Sequence, residues 1–347
     1  MVRPPRRRVA LLVLAGLAAL GAGARVVSAS EKATPIGRGV VVIDTNLAYQ
    51  GASAAGTGIV LSSSGTVLTN NHVIDGATTI KAVLPGTGRS YTARVVGYDR
   101  TADVAVLQLQ NASNLKTLRW GDSSSLTVGT LVTALGNAGG TGSFTSATGR
   151  VTGLDKTITA SDDQGGSEQL TGLIETNAGV VPGDSGGPLL DSAGRVVGMD
   201  TAASSGAGYE AIAATDAYAI PIARALTIAQ EIEAGDASAT VHIGGTAFLG
   251  VEVEPLGSDG SGYGGYGSTP ASGALVAGVV SGGPAASAGL TAGDVITAID
   301  GRGVTSPTTI SSLIVTMKPG AKITVTYTDQ AGGTGTVRVT LSSGPPQ

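Results

Sequence analysis

Short runs of alternating apolar and polar residues, separated by Gly, Ser, Asn and Asp, fill the chain from residue 39 to about residue 220. Each run has the length and period of a β-strand, and no helical pattern lies between the runs. The predicted strands are 58–61, 66–69, 80–84, 93–98, 104–109, 131–135, 147–151, 173–176 and 196–201. Strands at this spacing indicate a β-barrel or a β-sandwich.

The first helical pattern follows Pro221 and ends before Gly235. Proline is favoured at the start of a helix and glycine just past its end. One face of this predicted helix carries Ile222, Ala225, Leu226, Ala229 and Ile232. We expect the helix to close a first domain that covers residues 36–235.

A second domain is predicted over residues 246–344, behind a small and polar linker at 236–245. Its pattern alternates strands with two short helices, which suits a small α+β domain. The predicted order is strand 248–253, a glycine-rich insertion at 257–273 with Tyr263 and Tyr266, strand 274–280, helix 284–288, strand 294–300, helix 307–317 after the N-cap residue Ser306, and strands 322–328 and 335–341.

The N-terminus has a different pattern from the rest of the chain. Four arginines among residues 3–8 precede an apolar run at 9–24, and small residues at 27–29 offer a cleavage site. This is the layout of a secretory signal peptide. The alternative is an uncleaved membrane anchor, although the run is slightly shorter than the roughly 20 residues of a spanning helix. With either, residues 1–29 direct the remainder out of the cytoplasm, and membrane association through this segment stays open.

Composition narrows the function further. Five of the 21 basic residues and none of the 25 acidic residues precede Ser30, so removal of residues 1–29 leaves 16 basic against 25 acidic side chains, a net charge of −9. So acidic a protein is a poor partner for nucleic acid. The absence of cysteine excludes disulfides and thiol chemistry, and two histidines are too few for a histidine-rich metal site. We predict no metal and no organic cofactor.

The string GDSGGPL at 183–189 points to nucleophilic catalysis. A serine hydroxyl attacks a carbonyl only when a base takes its proton, and the oxyanion that forms needs unobstructed backbone N–H donors. The glycines around Ser185 provide such a turn. The predicted donors are the N–H groups of Gly183 and Ser185.

The base must be one of two histidines. His72 lies in the string LTNNHVI at 68–74, directly after a predicted strand, whereas His242 lies in the predicted linker. The third member is a carboxylate that orients the imidazole. Asp103 begins the apolar strand of the string TADVAVL at 101–107, where a buried acid needs a partner. The alternative is that Asp103 starts a strand at the surface, like Asp99 four residues earlier.

These three strings, in the order His72, Asp103, Ser185, resemble the HtrA (Deg) family of trypsin-like serine proteases. Supporting strings are GTGIVL at 56–61, GTVLT at 65–69, ETNA at 175–178 and AIPI at 219–222. The resemblance implies a mainly β fold, with a trypsin-like double β-barrel followed by an α+β PDZ domain. It also implies a serine endopeptidase that cleaves unfolded or misfolded proteins through an acyl-enzyme, and a homotrimer.

One position departs from the family pattern. Members usually carry Asn before the nucleophile, whereas this chain has Asp184, like trypsin-like enzymes that a newly freed N-terminus activates. A start at Ile36 would fit that alternative. The PDZ resemblance and the missing disulfides favour the HtrA pattern.

By the same resemblance, two segments line the primary specificity pocket: Gly179, Val180 and Val181, and Thr201, Ala202 and Ala203. Neither segment carries an acid. We therefore expect cleavage after small or medium apolar residues such as Val or Ala, and not after Lys or Arg.

The string FLGV, made of Phe248, Leu249, Gly250 and Val251, resembles the carboxylate-binding loop of PDZ domains. Such a loop receives a peptide C-terminus on backbone N–H groups while the peptide adds a strand to the sheet. The groove should lie between the second strand and helix 307–317. The alternative is a domain that only packs on the protease. The strings at 282–296 and 298–301 are interpreted as architecture.

Two further functions compete with proteolysis. An α/β-hydrolase esterase could use Ser185, Asp200 and His242, but that fold needs a helix directly after the serine. A chaperone-like or scaffolding protein could use the protease fold as a binding platform.

Overall fold

The computed structural model describes residues 37–161, 167–201, 217–256 and 272–346. The predicted signal peptide or anchor lies outside these residues, as do positions 257–271 of the glycine-rich insertion. None of the helices in the described ranges has the length and hydropathy of a membrane span.

The first six strands close into a barrel, here called the first barrel. The strands are β1 (Val40–Leu47), β2 (Ala52–Val60), β3 (Thr66–Thr69), β4 (Thr79–Leu84), β5 (Arg89–Asp99) and β6 (Val104–Leu109). They are ordered β5-β4-β1-β2-β3-β6, and pairing of β5 with β6 closes the ring. The short helix α1 (Asn71–Ile74) follows β3. Alternate side chains fill the interior, among them Val41, Ile43, Val67 and Leu107.

A second set of strands forms a second barrel-like sheet, here called the second barrel. The strands are β7 (Arg119–Trp120), β8 (Leu131–Gly136), β9 (Thr145–Ser161), β10 (Ser167–Thr176), β11 (Pro188–Asp191), β12 (Arg195–Thr201) and β13 (Ala217–Pro221). Their order is β11-β8-β9-β10-β13-β12-β7, closed by pairing of β11 with β12. The mainly β fold predicted from the sequence is confirmed.

Helix α2 (Ile222–Ala234) packs an apolar face on both barrels and ends at Gly235, which has the left-handed φ of 80° that favours glycine. Its buried residues match the predicted face with one exchange. Ile228 is buried, whereas Leu226 is only partly covered.

The segment predicted as a linker contains a strand. Strand β14 (Val241–Ile243) pairs antiparallel with β5, and the His242 ring stacks on Tyr98 with 4.9 Å between ring centroids. A Cβ at Gly97 would collide with the carbonyl oxygen of His242, so only glycine lets this strand approach. Three residues are too few for alternation to stand out in the sequence.

The C-terminal domain is a small α+β unit with the predicted order of elements. It consists of β15 (Thr246–Phe248), β16 (Val251–Pro255), β17 (Ala274–Val279), α3 (Pro284–Ser287), β18 (Val295–Ile299), β19 (Arg302–Gly303), α4 (Pro307–Ile314), β20 (Lys322–Thr328), β21 (Thr334–Thr340) and β22 (Ser342–Gly344). The main sheet is ordered β16-β17-β18-β20-β21, while β15 pairs with β22. The predicted strand 248–253 breaks at Gly250, whose φ is 79°. Ser306 is the N-cap of α4, but its side chain makes no cap hydrogen bond.

Three contacts fasten this domain to the first barrel. The Tyr49 ring, in the turn between β1 and β2, stacks on Phe248 with 5.1 Å between centroids and 10° between planes. The hydroxyl groups of Tyr98 and Thr246 form a hydrogen bond of 3.2 Å. The N–H of Gly76, just beyond α1, donates to the carbonyl of Pro346 at 2.9 Å.

Candidate active site

Helix α1 presents His72 to Asp103, which lies in the turn between β5 and β6. The carboxylate accepts twice from this one residue: from the backbone N–H of His72 at 3.0 Å and from Nδ1 of its ring at 2.9 Å. A carboxylate has no proton to give, so the ring donates from Nδ1 and keeps the lone pair of Nε2. The imidazole is thereby held in the tautomer of a general base, with its side chain 46% exposed.

Asp103 is buried and held in the left-handed region, with a φ of 54°. Its carbonyl accepts from Nδ2 of Asn70 at 2.9 Å, and its Oδ2 accepts from the Thr201 hydroxyl at 2.9 Å. The alternative of a surface strand start is therefore wrong for Asp103. It is also wrong for Asp99, which is buried and accepts from the backbone N–H of Ala102.

The loop around Ser185 turns through two left-handed glycines, Gly183 with a φ of 99° and Gly186 with a φ of 82°. Larger residues would be strained at both positions. The Gly187 N–H donates to the Asp184 carbonyl at 2.8 Å, which closes the turn across Ser185. Ser185 itself is almost fully covered.

Thr57 on β2 fastens this loop to the first barrel, and the sequence analysis gave it no role. Its backbone N–H donates to the Ser185 carbonyl and its hydroxyl donates to the Gly183 carbonyl, both at 2.8 Å. The same hydroxyl accepts from the N–H of Asn137 at 2.9 Å. The only sequence signal was the position of Thr57 in the string GTGIVL.

Gly56 lets β2 pass between helix α1 and the loop of Ser185. A Cβ there would lie 2.6 Å from Cγ1 of Val73, the neighbour of His72, and 3.3 Å from the Ser185 carbonyl oxygen. Because a real side chain does not tolerate the first distance, glycine sets the close approach of α1 to the serine loop.

Two further carboxyl groups are buried beside the loop of Ser185, those of Asp184 and Asp200. Burial raises the pKa of Asp184, against the opposing effect of a hydrogen bond from the Val181 N–H. Burial, followed by the negative charge of Asp184, raises the pKa of Asp200 well above its usual range. The esterase alternative gave Asp200 the role of orienting His242, but His242 lies in β14 and stacks on Tyr98 of β5. In addition, the serine loop is followed by strand β11 and not by the helix that an esterase of this fold needs.

Comparison with known proteins agrees with this geometry. The trypsin-like peptidase domain matches residues 56–199, and the PDZ domain matches residues 247–341. Serine protease PepD of Mycobacterium tuberculosis is 34% identical over 327 residues, which cover 90% of this chain and 66% of PepD. A probable periplasmic serine protease do/HhoA-like of Haemophilus influenzae is 36% identical over 279 residues, which cover 78% of this chain and 55% of that protein.

The chain belongs to the HtrA (Deg) family. It spans between about half and two thirds of the length of these curated relatives. Among solved structures, the HtrA-type protease AlgW with tripeptide is similar, with 30% identity, a TM-score of 0.49, and coverage of 90% of this chain and 95% of that one.

For this HtrA-family chain, the predicted specificity segments are only partly within the described residues. Gly179 is exposed, Val180 is half-buried against the core of the second barrel, and Val181 is 42% exposed. Thr201 directs its hydroxyl to Asp103. Ala202 and Ala203 lie outside the described residues.

The predicted PDZ loop has its carbonyls turned inward. Leu249 accepts from the N–H of Ala285 at 2.9 Å, and Gly250 accepts from the N–H of Val280 at 3.0 Å. Val251 starts β16, which is an edge strand of its sheet, and α4 packs beside that edge. Phe248 faces the first barrel through its stack on Tyr49.

A separate cavity of about 530 Å³ lies behind the Tyr49–Phe248 stack. Its lining comes from both domains and includes Tyr49, Phe248, residues 280–284 and Arg338. It is neither the cleft around Ser185 nor the predicted PDZ groove.

We predict that Thr201→Val slows the modification of Ser185 by a fluorophosphonate about tenfold or more, because a hydrogen bond to a charged acceptor is lost. Thr201→Ser should restore most of the rate. Thr133→Val, at a β8 position whose hydroxyl contacts Thr148, is the matched control. An unchanged rate in Thr201→Val would show that the hydroxyl does not help to hold Asp103.

Proposed function

We propose that this chain is an exported serine endopeptidase that cleaves unfolded or misfolded proteins, with His72, Asp103 and Ser185 as its catalytic triad. One observation carries the proposal. The ring of His72 is held by a buried carboxylate at 2.9 Å, and its helix and the loop of Ser185 both pack closely against Gly56. Base, orienting acid and nucleophile are the three parts that acyl transfer requires.

In the proposed reaction, Ser185 Oγ attacks the scissile carbonyl while Nε2 of His72 accepts the hydroxyl proton. His72 then returns that proton to the leaving amine, and water hydrolyses the acyl-enzyme by the same steps. Asp103 keeps its negative charge throughout and stabilises the imidazolium.

The amide directions support Gly183 and Ser185 as the donors of an oxyanion hole. The carbonyl of Pro182 accepts from Gly139, and the carbonyl of Asp184 accepts from Gly187. In a trans peptide the N–H points opposite to the carbonyl. The N–H groups of Gly183 and Ser185 therefore point away from these internal partners.

The first test is cleavage of unfolded β-casein by residues 30–347. Ser185→Ala and His72→Ala should each lower the rate by at least about a thousandfold, because the triad acts as a unit. His242→Ala is the matched control and should leave cleavage unchanged. Cleavage that survives Ser185→Ala would contradict the assignment, and loss of ester hydrolysis on His242→Ala alone would favour the esterase.

Two observations support export. The N-terminus has arginines followed by an apolar segment, and the Haemophilus influenzae relative is described as a probable periplasmic protease. Unfolded substrates follow from the family and from a PDZ domain that binds peptide C-termini on the edge of β16. A homotrimer is part of the same proposal. Chaperone activity can accompany proteolysis on this fold.

We expect cleavage after Val or Ala, since the segments proposed to line the primary pocket carry no acid. A peptide library digested by the enzyme and sequenced by mass spectrometry checks this preference. Enrichment of Lys or Arg before the cleaved bond would contradict the proposed pocket.

We also propose that the PDZ domain regulates the protease through the contacts at Tyr49 and Pro346. Phe248 belongs to the peptide-binding loop and stacks on Tyr49, while the N–H of Gly76, four residues beyond His72, bonds to Pro346. We expect movement of this loop on peptide binding to change both contacts, the ring stack at Tyr49 and the hydrogen bond at Gly76.

Tyr49→Ala should raise amide exchange about two- to tenfold both in 246–251 and at 74–77, because an aromatic pair stabilises by about 0.5–1.5 kcal/mol. Val128→Ala, which also removes an exposed apolar side chain, is the control and should change neither segment. Faster exchange in 246–251 alone would mean that the stack does not couple the two segments.

A further inference from the structure

Asp184 and Asp200 form a buried acidic pair directly behind the nucleophile. Asp184 precedes Ser185 in the chain, and Asp200 lies on β12; their residues are 5% and 0% exposed. Oδ1 of Asp184 and both side-chain oxygens of Asp200 have no hydrogen-bond partner among the described residues. An ionised carboxylate is costly in such a place, since it can only accept hydrogen bonds.

The backbone of Asp200 is part of the framework that holds the serine loop. Its carbonyl accepts from the N–H of Gly186 at 2.8 Å, and its N–H donates to the carbonyl of Gly187 at 2.7 Å. The next residue, Thr201, bonds to Asp103. Any shift of Asp200 is therefore transmitted to the turn around Ser185 and to the triad acid.

Asp184 is equally confined. Its Oδ1 lies against the Cα of Gly136, where a Cβ would come within 2.5 Å of that oxygen. Its other oxygen accepts from Val181, and its backbone N–H donates to the Val181 carbonyl at 3.0 Å. The carboxyl is therefore held between the backbone of Gly136 and that of Val181.

No described cation offsets the pair: burial raises the pKa of both carboxyls, the charge of Asp184 raises that of Asp200 further, and no basic side chain contributes. The nearest titratable groups of the triad, His72 and Asp103, interact with each other through Nδ1. The charged and titratable groups on the elements packed around β12 have other partners or are exposed. Asp191 pairs with Arg195, and Glu175 contacts Lys156 and Tyr218. Arg224 and Arg119 donate to the carbonyls of Thr171 and Ala193, and Glu231 and Glu233 lie on the exposed face of α2.

We propose that Asp184 and Asp200 keep one proton between them at neutral pH, with Asp200 as the neutral acid, and that this proton holds the serine loop in its catalytic shape. Both are positioning residues, because neither is placed to touch the substrate. Two negative charges in one buried site repel each other, so loss of the proton at alkaline pH should displace Asp200 and loosen the turn. Only the test by enzyme activity rests on the proposed proteolytic function; the test by thermal stability does not.

The proposed proton also determines how the free energy of unfolding depends on pH. A buried Asp with a raised pKa holds its proton in the folded chain above about pH 3.9, where the unfolded chain has lost it. Stability then falls as pH rises, until the folded state releases the proton as well. Asp200→Asn has no proton to lose at this position, so its stability should fall less.

The test measures thermal unfolding midpoints of wild type, Asp200→Asn and Asp236→Asn between pH 5 and pH 9.5. Asp236 is exposed, so its variant controls for the loss of one charge. We expect the midpoint difference between Asp200→Asn and wild type to grow with pH, reaching about 2–4 °C at the alkaline end. Parallel curves would overturn the proposal, whether or not the protein cleaves casein.

The activity arm compares casein cleavage across the same pH range. Above the titration of the pair, the wild-type rate should fall about tenfold per pH unit, and Asp200→Asn should lack this limb. Asp184→Asn removes one of the two charges that repel each other, so it should also weaken this alkaline loss of rate, and it provides the test if Asp200→Asn does not fold. An unmoved alkaline limb in the variants would refute the positioning role.

Discussion

The carboxylate of Asp103 is the point on which both barrels converge. It accepts the backbone and ring of His72 from the first barrel and the hydroxyl of Thr201 from the second. Three donors hold this buried acid in one position, because the loss of any of them would leave the carboxylate with fewer hydrogen bonds in a place that water does not reach. Everything else in the site is arranged around the ring that this acid orients.

A second tie runs through β2. Thr57 bonds to both carbonyls that flank Asp184 in the serine loop, and Gly56 allows α1 to come close behind it. Ser185 belongs to the second barrel and His72 to the first, so this strand fixes the distance between them. The cleft is thus built by contacts between barrels, and no disulfide shares the task, since the chain has no cysteine.

Sequence reasoning succeeded where a residue type is chemically indispensable or a strand alternates over its full length. Strands 66–69 and 104–109 have the bounds predicted for them, and His72 contacts Asp103 as expected from the two strings. It failed where the determinant is a neighbour in space. The pairing of β14 with β5 depends on Gly97, which is far from it in the chain.

The same limit applies to the site. Thr57 resembles any strand threonine until its hydrogen bonds to the serine loop and to Asn137 are seen, and Asp200 draws attention only when its burial beside Asp184 is known. The proposed specificity pocket includes Ala202 and Ala203, which lie outside the described residues.

The bond from Thr201 to Asp103 has a consequence for self-digestion. Under the proposed function the enzyme attacks unfolded chains and meets its own unfolded copies as substrates, so a partly opened copy that kept its activity would cleave further copies. Because the triad acid takes one of its donors from the opposite barrel, separation of the barrels weakens the catalytic site at the moment the chain becomes cleavable. Each copy would therefore be either intact and active or open and harmless, and loss of enzyme by mutual cleavage would slow as intact copies become scarce.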